Sequence, residues 1–150
     1  MSPMVDQYPL DQILPQKYPF LMIDRIVEFK KDESLTAIKN ITGNEWVFEG
    51  LKYPNNIFPE TLIIEAAAQT ALAFYKLNKN DPIVKKKQYA VIGKIKSEFF
   101  ESVKVGDQLK MQTGSYKMFE NTGFVDIDIH VATNKIAEVK NFYSVLNTNG

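Results

Sequence analysis

A single carboxylate stands inside an otherwise uncharged run of this sequence. Residues 61–75, TLIIEAAAQTALAFY, carry one charged side chain, Glu65, and an amide follows four positions later at Gln69. An ionised carboxylate is rarely kept in an apolar helix without a partner, because its desolvation costs several kcal/mol. Such a group can act as a general acid or base, so we predict that Glu65 is catalytic. The alternative is a structural carboxylate that accepts hydrogen bonds from loop amides.

The element that carries Glu65 is predicted to be a long helix. Leucine and alanine dominate the run, and Pro59 just before it is tolerated only in a first helical turn. The polar residues 76–82 mark its end. The run is apolar nearly all round, yet polar residues interrupt it and it is too short to span a bilayer. We therefore expect a helix enclosed by a sheet.

Strands are predicted on both sides of this helix. Residues 25–30 and 34–41 should pair as a hairpin, and residues 124–132 alternate between apolar and polar side chains as a half-buried strand does. Further strands are expected at residues 89–100, 109–119 and 136–146, and residues 44–56 are predicted to form an ordered loop that leads into the helix. The fold class is therefore α+β, with an antiparallel sheet around one central helix, in a single domain of residues 1–150.

Composition narrows the class of function. The 150 residues are 45% hydrophobic, and eighteen basic side chains balance eighteen acidic ones, so neither nucleic acid nor an anionic membrane is an expected partner. Cysteine is absent and His130 is the single histidine, which leaves few ligands for a metal and indicates no metal or other cofactor. His130 is predicted on the polar face of its strand. No secretion signal is evident at the N-terminus, and a cytoplasmic location is expected.

Several short motifs together resemble a known family. They are LPQKYPFL at residues 14–21, DR at 24–25, EAAAQ at 65–69 and VGDQL at 105–109, with Pro59 before the helix. In this order and spacing they resemble the (3R)-hydroxyacyl-[acyl-carrier-protein] dehydratases of the FabZ type, from about residue 13 to about residue 146. The resemblance implies a hot-dog fold, a dimer joined at its sheet edges, and acyl thioesters of acyl carrier protein or coenzyme A in fatty-acid or polyketide-like biosynthesis.

The resemblance also implies site residues, and here the sequence departs from the family. The family pairs a glutamate on the central helix, matched by Glu65, with a histidine from a loop. Counting back from Glu65 without a gap places Leu51 at the histidine position and Tyr53 two residues later. Tyr53 is a local candidate for a proton donor, although an aromatic loop anchor is the alternative. Gln69 falls on a family glutamine, where it either orients Glu65 or caps a backbone group.

The resemblance also implies that the start of the helix contacts the substrate. Glu60 stands where the family has a glycine, and backbone N–H groups at Glu60 and Thr61 would polarise the thioester carbonyl. The predicted site therefore has Glu65 as catalytic residue and Gln69, Tyr53, Leu51, Glu60 and Thr61 as substrate-binding residues.

Three functions stay open at this point. The first is a dehydratase-type lyase with an altered site, and the second is an acyl-thioester hydrolase that uses Glu65. The third is a non-catalytic hot-dog subunit that pairs with an active dehydratase, so that the partner supplies the histidine.

Overall fold

The computed structural model of the protein describes residues 7–51, 56–79 and 88–147. The helices and strands of these residues are, in chain order, α1 (Leu10–Ile13), β1 (Arg25–Lys30), β2 (Ser34–Asn40), β3 (Ile57–Phe58), α2 (Glu60–Asn78), β4 (Gln88–Phe99), β5 (Val103–Lys104), β6 (Gln108–Met118), β7 (Thr122–Val131) and β8 (Asn134–Asn147). A 3-10 turn over Trp46–Glu49 precedes β3.

Six strands form one antiparallel sheet in the order β1-β2-β6-β7-β8-β4. The predicted hairpin is confirmed, because β1 and β2 pair directly and are joined by a short turn. At the other end of the sheet, β4 pairs with β8 from Gln88 to Phe99 and is the edge strand. A bulge between Ile92 and Lys94 interrupts this pairing at Gly93.

The helix α2 lies on the inner face of this sheet. It begins directly after Pro59 and contacts β2, β4, β6, β7 and β8. Alanines at Ala66, Ala67 and Ala71 let the sheet approach the helix axis closely, and all three are buried. Phe74 is fully buried, and such burial of an aromatic side chain stabilises a fold by roughly 1.5 to 3 kcal/mol. The predicted antiparallel sheet around one central helix, the hot-dog arrangement, is confirmed.

Alternation along β7 and β8 decides which side chains reach the interior. On β7, Val125, Ile127 and Ile129 are fully buried beneath the helix, whereas His130 is half-exposed on the opposite face, as predicted. On β8 the inward positions are Ala137, Val139, Asn141, Tyr143 and Val145, and all five are buried. An asparagine therefore occupies an interior position in the middle of an apolar row.

Two features were not predicted. The strands β3 and β5 pair with each other in a separate two-stranded sheet, and each is too short to leave a periodic pattern in the sequence. The other is a turn at residues 17–21, in which the Phe20 N–H donates to the Lys17 carbonyl oxygen at 2.8 Å. Leu14, Met22 and Ile23 around it are buried, but the Phe20 side chain is 67% exposed.

Candidate functional site

Glu65 lies in the second turn of α2, on the side that faces the N-terminal segment. Thr61 is one helical turn before it and Gln69 one turn after it, so the three side chains share one helix face. Glu65 is half-buried within the single chain, whereas Gln69 is only 1% exposed. The structure therefore places the predicted carboxylate at the margin of the core, beside an amide that is enclosed.

Gln69 connects Glu65 to the N-terminal segment through three hydrogen bonds. Its Nε2 donates to Glu65 Oε1 at 3.0 Å and to the Phe20 carbonyl oxygen at 2.7 Å, and its Oε1 accepts from the Met22 N–H at 2.8 Å. Both open interpretations of Gln69 therefore apply, since the same amide orients Glu65 and caps backbone groups. The amide has no rotational freedom left, because its donor and acceptor ends are both engaged.

A cavity of about 170 Å³ opens beside this pair, between α2 and the β8–β4 end of the sheet. It is open to solvent on one side. Its apolar walls come from the helix and from the edge strand, while its polar groups come from three separate elements. The lining residues are Gln16, Glu65, Ala68, Gln69, Ala71, Leu72, Ala90, Ile92, Asn141 and Tyr143.

Unpaired polar atoms converge on the residues that line this cavity. The buried side-chain atoms without a hydrogen-bond partner in the described part of the chain are Gln16 Oε1, Asn141 Oδ1 and the Tyr143 hydroxyl. Buried polar atoms are nearly always paired, so three unpaired atoms on residues that line one cavity are unusual. Sequence analysis did not single out Asn141 or Tyr143. The signal was present, because alternation along β8 puts both on the inward face.

The Tyr143 hydroxyl faces β7 and not the cavity. Its strand neighbour is Gly123, and a Cβ atom added there would lie 2.8 Å from the hydroxyl oxygen. The ring packs edge-on against Tyr75, with the centroids 5.4 Å apart. Burial, and to a smaller extent the nearby Tyr75 phenol, raise the pKa of Tyr143 well above its ordinary value. Tyr143 is therefore a neutral wall of the cavity at physiological pH.

The helix start leaves backbone N–H groups without an intrahelical acceptor. The N–H groups of Leu62 and Ile63 donate to the Pro59 carbonyl oxygen, so the N–H groups of Glu60 and Thr61 precede the first N–H that donates within the helix. No side chain caps this end of α2. Both Glu60 and Thr61 are exposed, and the Glu60 carboxylate lies in the first turn, where it interacts favourably with the helix dipole.

The loop that would carry a histidine is held to the core by a buried ion pair. Lys39 Nζ on β2 lies 3.1 Å from Glu45 Oε1, and the Lys39 side chain is only 6% exposed. Leu51 follows the 3-10 turn and packs half-buried against the hydrophobic core. Tyr53 lies outside the described residues. The structure therefore joins Gln69 to Glu65 by a hydrogen bond, whereas Leu51, Glu60 and Thr61 are not among the described residues that line the cavity beside Glu65.

The arrangement offers a carboxylate, a partly apolar cavity beside it and backbone donors at a helix start. His130 cannot substitute for a base here, because it lies on the outer face of β7. Within residues 7–51, 56–79 and 88–147, no cluster of three histidine, cysteine or carboxylate side chains could hold a metal ion. The helices among those residues are not long and apolar enough to cross a membrane.

Comparison with known proteins shows what this chain resembles. The FabA-like domain matches residues 14–140. The 3-hydroxyacyl-[acyl-carrier-protein] dehydratase FabZ of Oceanobacillus iheyensis is 39% identical over 118 residues, which cover 77% of this chain and 80% of that protein. The dehydratase of the same name from Nitratiruptor sp. is 34% identical over 140 residues, or 91% of this chain and 95% of that protein.

Among solved structures, the dehydratase heterocomplex ApeI:P from Xenorhabdus doucetiae matches with a TM-score of 0.76. The match covers 93% of this chain and 91% of that chain at 13% sequence identity. At this identity the likeness concerns the fold alone, and it agrees with the sheet that surrounds α2.

Proposed function

This chain belongs to the FabZ-type dehydratases within the FabA-like domain family, and from that premise we propose that it binds acyl thioesters in the cavity beside Glu65. The related dehydratases are named for 3-hydroxyacyl groups on acyl carrier protein. The observation that carries the proposal is the pairing of Glu65 with the buried Gln69 amide at the edge of a partly apolar cavity. Acyl carrier protein is the proposed donor of the acyl chain, with coenzyme A as the other carrier.

The residues of the cavity suit the two ends of such a ligand. Alanine, leucine and isoleucine side chains from α2 and β4 form an apolar wall for the acyl chain. In a dehydration, the C2 proton leaves to a base, the C3–O bond breaks, and the departing hydroxyl takes a proton to become water. We assign that proton to the Glu65 carboxyl, and the developing negative charge on the thioester oxygen to the N–H groups of Glu60 and Thr61.

A base for the C2 proton is the missing part of this scheme. Leu51 stands at the family histidine position, and its aliphatic side chain cannot accept a proton. Loss of a positioned base typically slows such a reaction by about 10²- to 10⁴-fold, or roughly 3 to 5 kcal/mol of barrier. As a second candidate function, we therefore propose that this chain supplies the carboxylate half of a site whose base comes from a second hot-dog subunit.

The edge strand supports pairing with another subunit. Strand β4 is twelve residues long and lies at the edge of the six-stranded sheet. On its inward face, Ile92 is 44% exposed and Ile95 36% exposed, because α2 covers this end of the sheet incompletely. A long edge with apolar side chains is a template for strand pairing. Because Ala90 and Ile92 also line the cavity, a subunit paired at β4 would close it, in a homodimer or in a heterodimer.

The first experiment gives the purified full chain a 3-hydroxyacyl pantetheine thioester. Binding is followed by calorimetry, enoyl product by absorbance, and released thiol by a thiol reagent. We expect binding, together with enoyl formation far below that of a histidine-containing relative and lost in Glu65→Gln. Glu101→Gln, an exposed carboxylate outside the cavity lining, is the control. Thiol release without enoyl product would support the hydrolase instead, and absence of binding would contradict the proposal.

The second experiment restores the missing base in two ways. The Leu51→His variant should gain dehydration activity by up to about 10²- to 10⁴-fold if Leu51 occupies the histidine position. The wild-type chain is also mixed with a second hot-dog dehydratase that keeps its histidine but is inactivated by a change of its own glutamate to glutamine. Dehydration activity should return in the mixture if this chain donates Glu65. A mixture that stays inactive would exclude the second candidate function, and an isolated chain with full activity would exclude it as well.

A further inference from the structure

The interior of the cavity has hydrogen-bond acceptors that the chain itself does not satisfy. Asn141, at the centre of β8, is 1% exposed, and its Oδ1 has no partner in the described residues. Gln16, from the N-terminal segment, presents a second buried and unpaired amide oxygen, Oε1. Both side chains line the same cavity as Glu65. The carboxylate therefore shares its cavity with two amide oxygens from different parts of the sequence.

The orientation of the Asn141 amide follows from the backbone around it. Its Nδ2 lies 3.3 Å from the Val125 carbonyl oxygen and 3.5 Å from the Val139 carbonyl oxygen. An amide oxygen at that position would face two other acceptors, so the NH₂ group must occupy it. Since Nδ2 faces β7, Oδ1 is directed away from β7, towards the side of β8 on which the cavity lies. The acceptor, not the donor, is therefore the end of the amide that is left without a partner.

An unpaired interior acceptor opposes folding unless it serves another purpose. Leaving a buried polar group without a hydrogen bond costs about 1 to 3 kcal/mol. The neighbouring inward positions on β8 are Val139 and Tyr143, and an aliphatic residue between them would pack without that cost. Sites that are built to hydrogen-bond a substrate leave their polar groups unpaired when the substrate is absent.

We propose that Asn141 and Gln16 are substrate-positioning residues, whose amide oxygens accept hydrogen bonds from O–H or N–H donors of an acyl thioester bound beside Glu65. This inference rests on the proposed function. Acyl thioesters of this class carry such donors in two places, as the C3 hydroxyl of the acyl chain and as the amide N–H groups of the pantetheine arm. Positioning by a fixed acceptor would set which part of the ligand reaches Glu65.

The test compares two pantetheine thioesters of equal chain length, one with a C3 hydroxyl and one saturated at C3. Affinities of the full chain are measured by calorimetry for the wild type and for Asn141→Leu and Gln16→Leu. Loss of one hydrogen bond in a buried site should weaken binding by about tenfold. Weakening of the hydroxylated ligand alone would assign the acceptor to the C3 hydroxyl. Equal weakening of both ligands would assign it to the arm.

Three further results separate the possible failures. Unchanged affinity for both ligands in both variants would overturn this inference while leaving the proposed function intact. A wild-type chain that binds neither ligand would overturn the proposed function and this inference with it. Ser144→Ala, on the outward face of the same strand, is the matched control and should keep wild-type affinity.

Thermal denaturation shows whether a loss of affinity is caused only by a folding defect. Asn141→Leu removes an unpaired acceptor and two long hydrogen bonds, so its melting temperature should stay close to that of the wild type. If Asn141→Leu does not fold, the result rests on Gln16→Leu, because Gln16 is half-exposed outside the helix and sheet. Affinity losses that merely follow melting temperature across the variants and the control would overturn the inference.

Discussion

Replacing Gln69 by leucine removes three hydrogen bonds while keeping a side chain of similar size in the same buried place. The Met22 N–H loses its acceptor, and because Met22 is only 3% exposed, water cannot replace it easily. The Phe20 carbonyl oxygen and the Glu65 carboxylate also lose a donor, but both are nearer to solvent. The largest part of the effect should therefore come from the unpaired Met22 amide.

The expected loss follows from these separate contributions. An unsatisfied buried donor costs about 1 to 3 kcal/mol, and each other net hydrogen bond contributes about 0.5 to 1.5 kcal/mol. We expect Gln69→Leu to lower the free energy of unfolding by about 2 to 6 kcal/mol. For a chain of 150 residues this corresponds to roughly 4 to 24 °C in melting temperature. Urea denaturation followed by circular dichroism measures the free energy, and calorimetry measures the melting temperature.

Gln69→Glu tests the same contacts through pH. The introduced carboxyl keeps an acceptor for Met22, but it faces Glu65 Oε1 and the Phe20 carbonyl oxygen in place of a donor. Burial and the Glu65 charge should raise the pKa of this carboxyl above its unfolded value of about 4.3. The folded state then binds more protons than the unfolded state, so stability relative to the wild type should fall as pH rises from about 4 to 8.

The control is Gln108→Leu, which removes a hydrogen bond from Gln108 Nε2 to Asn40 Oδ1 at an exposed site. That variant should stay within about 0.5 kcal/mol of the wild type. A Gln69→Leu variant as stable as Gln108→Leu would refute the role of Gln69 as the connection between helix and N-terminal segment. A Gln69→Glu variant whose stability relative to the wild type does not depend on pH would refute its proximity to the Glu65 carboxylate.

Four other substitutions have defined outcomes. Tyr143→Phe removes an unpaired hydroxyl, so it should raise the free energy of unfolding by up to about 1 kcal/mol. Because the pKa of Tyr143 is raised in the folded state, its phenol ionises above about pH 10 only in the unfolded wild type, which lowers the stability of the wild type. Tyr143→Phe should lose less stability there, as measured by urea denaturation at alkaline pH. Gly123→Ala should cost about 1 to 3 kcal/mol, because the new Cβ would lie 2.8 Å from the Tyr143 hydroxyl oxygen, and part of that cost should disappear in the Tyr143→Phe background. Lys39→Met should cost about 2 to 4 kcal/mol in the same assay by leaving the mostly buried Glu45 unpaired, and Glu45→Gln should cost less.

Elements with a strong local pattern were predictable from the sequence. The helix α2 was predicted from its many alanines and leucines and from the polar residues that end it, and the strand β7 from its alternation of apolar and polar residues. The strands β3 and β5 were missed because two residues cannot show a period. The turn at residues 17–21 was missed because its apolar Phe20 side chain points to solvent, against the usual preference.

Only the part of the site that lies on α2 was predictable from the sequence. Glu65 and Gln69 lie one turn apart, so their contact follows from helical spacing alone. The other partners of Gln69 lie 47 and 49 residues away, and only the tertiary fold brings them together. Asn141 was overlooked for a different reason. A single polar residue on the inward face of a strand is recognised only when it is compared with the apolar residues at the neighbouring inward positions.

Within the described residues, the hydrogen bonds beside the carboxylate come from α2 and the N-terminal segment. The three hydrogen bonds of Gln69 run to Glu65 on α2 and to the backbone of Phe20 and Met22. Under the proposed function, a leucine in place of an imidazole at position 51 would therefore remove a base while leaving the hydrogen bonds of Gln69 intact. A base supplied from elsewhere, by Leu51→His or by a second subunit, would then meet a carboxylate that is already in place.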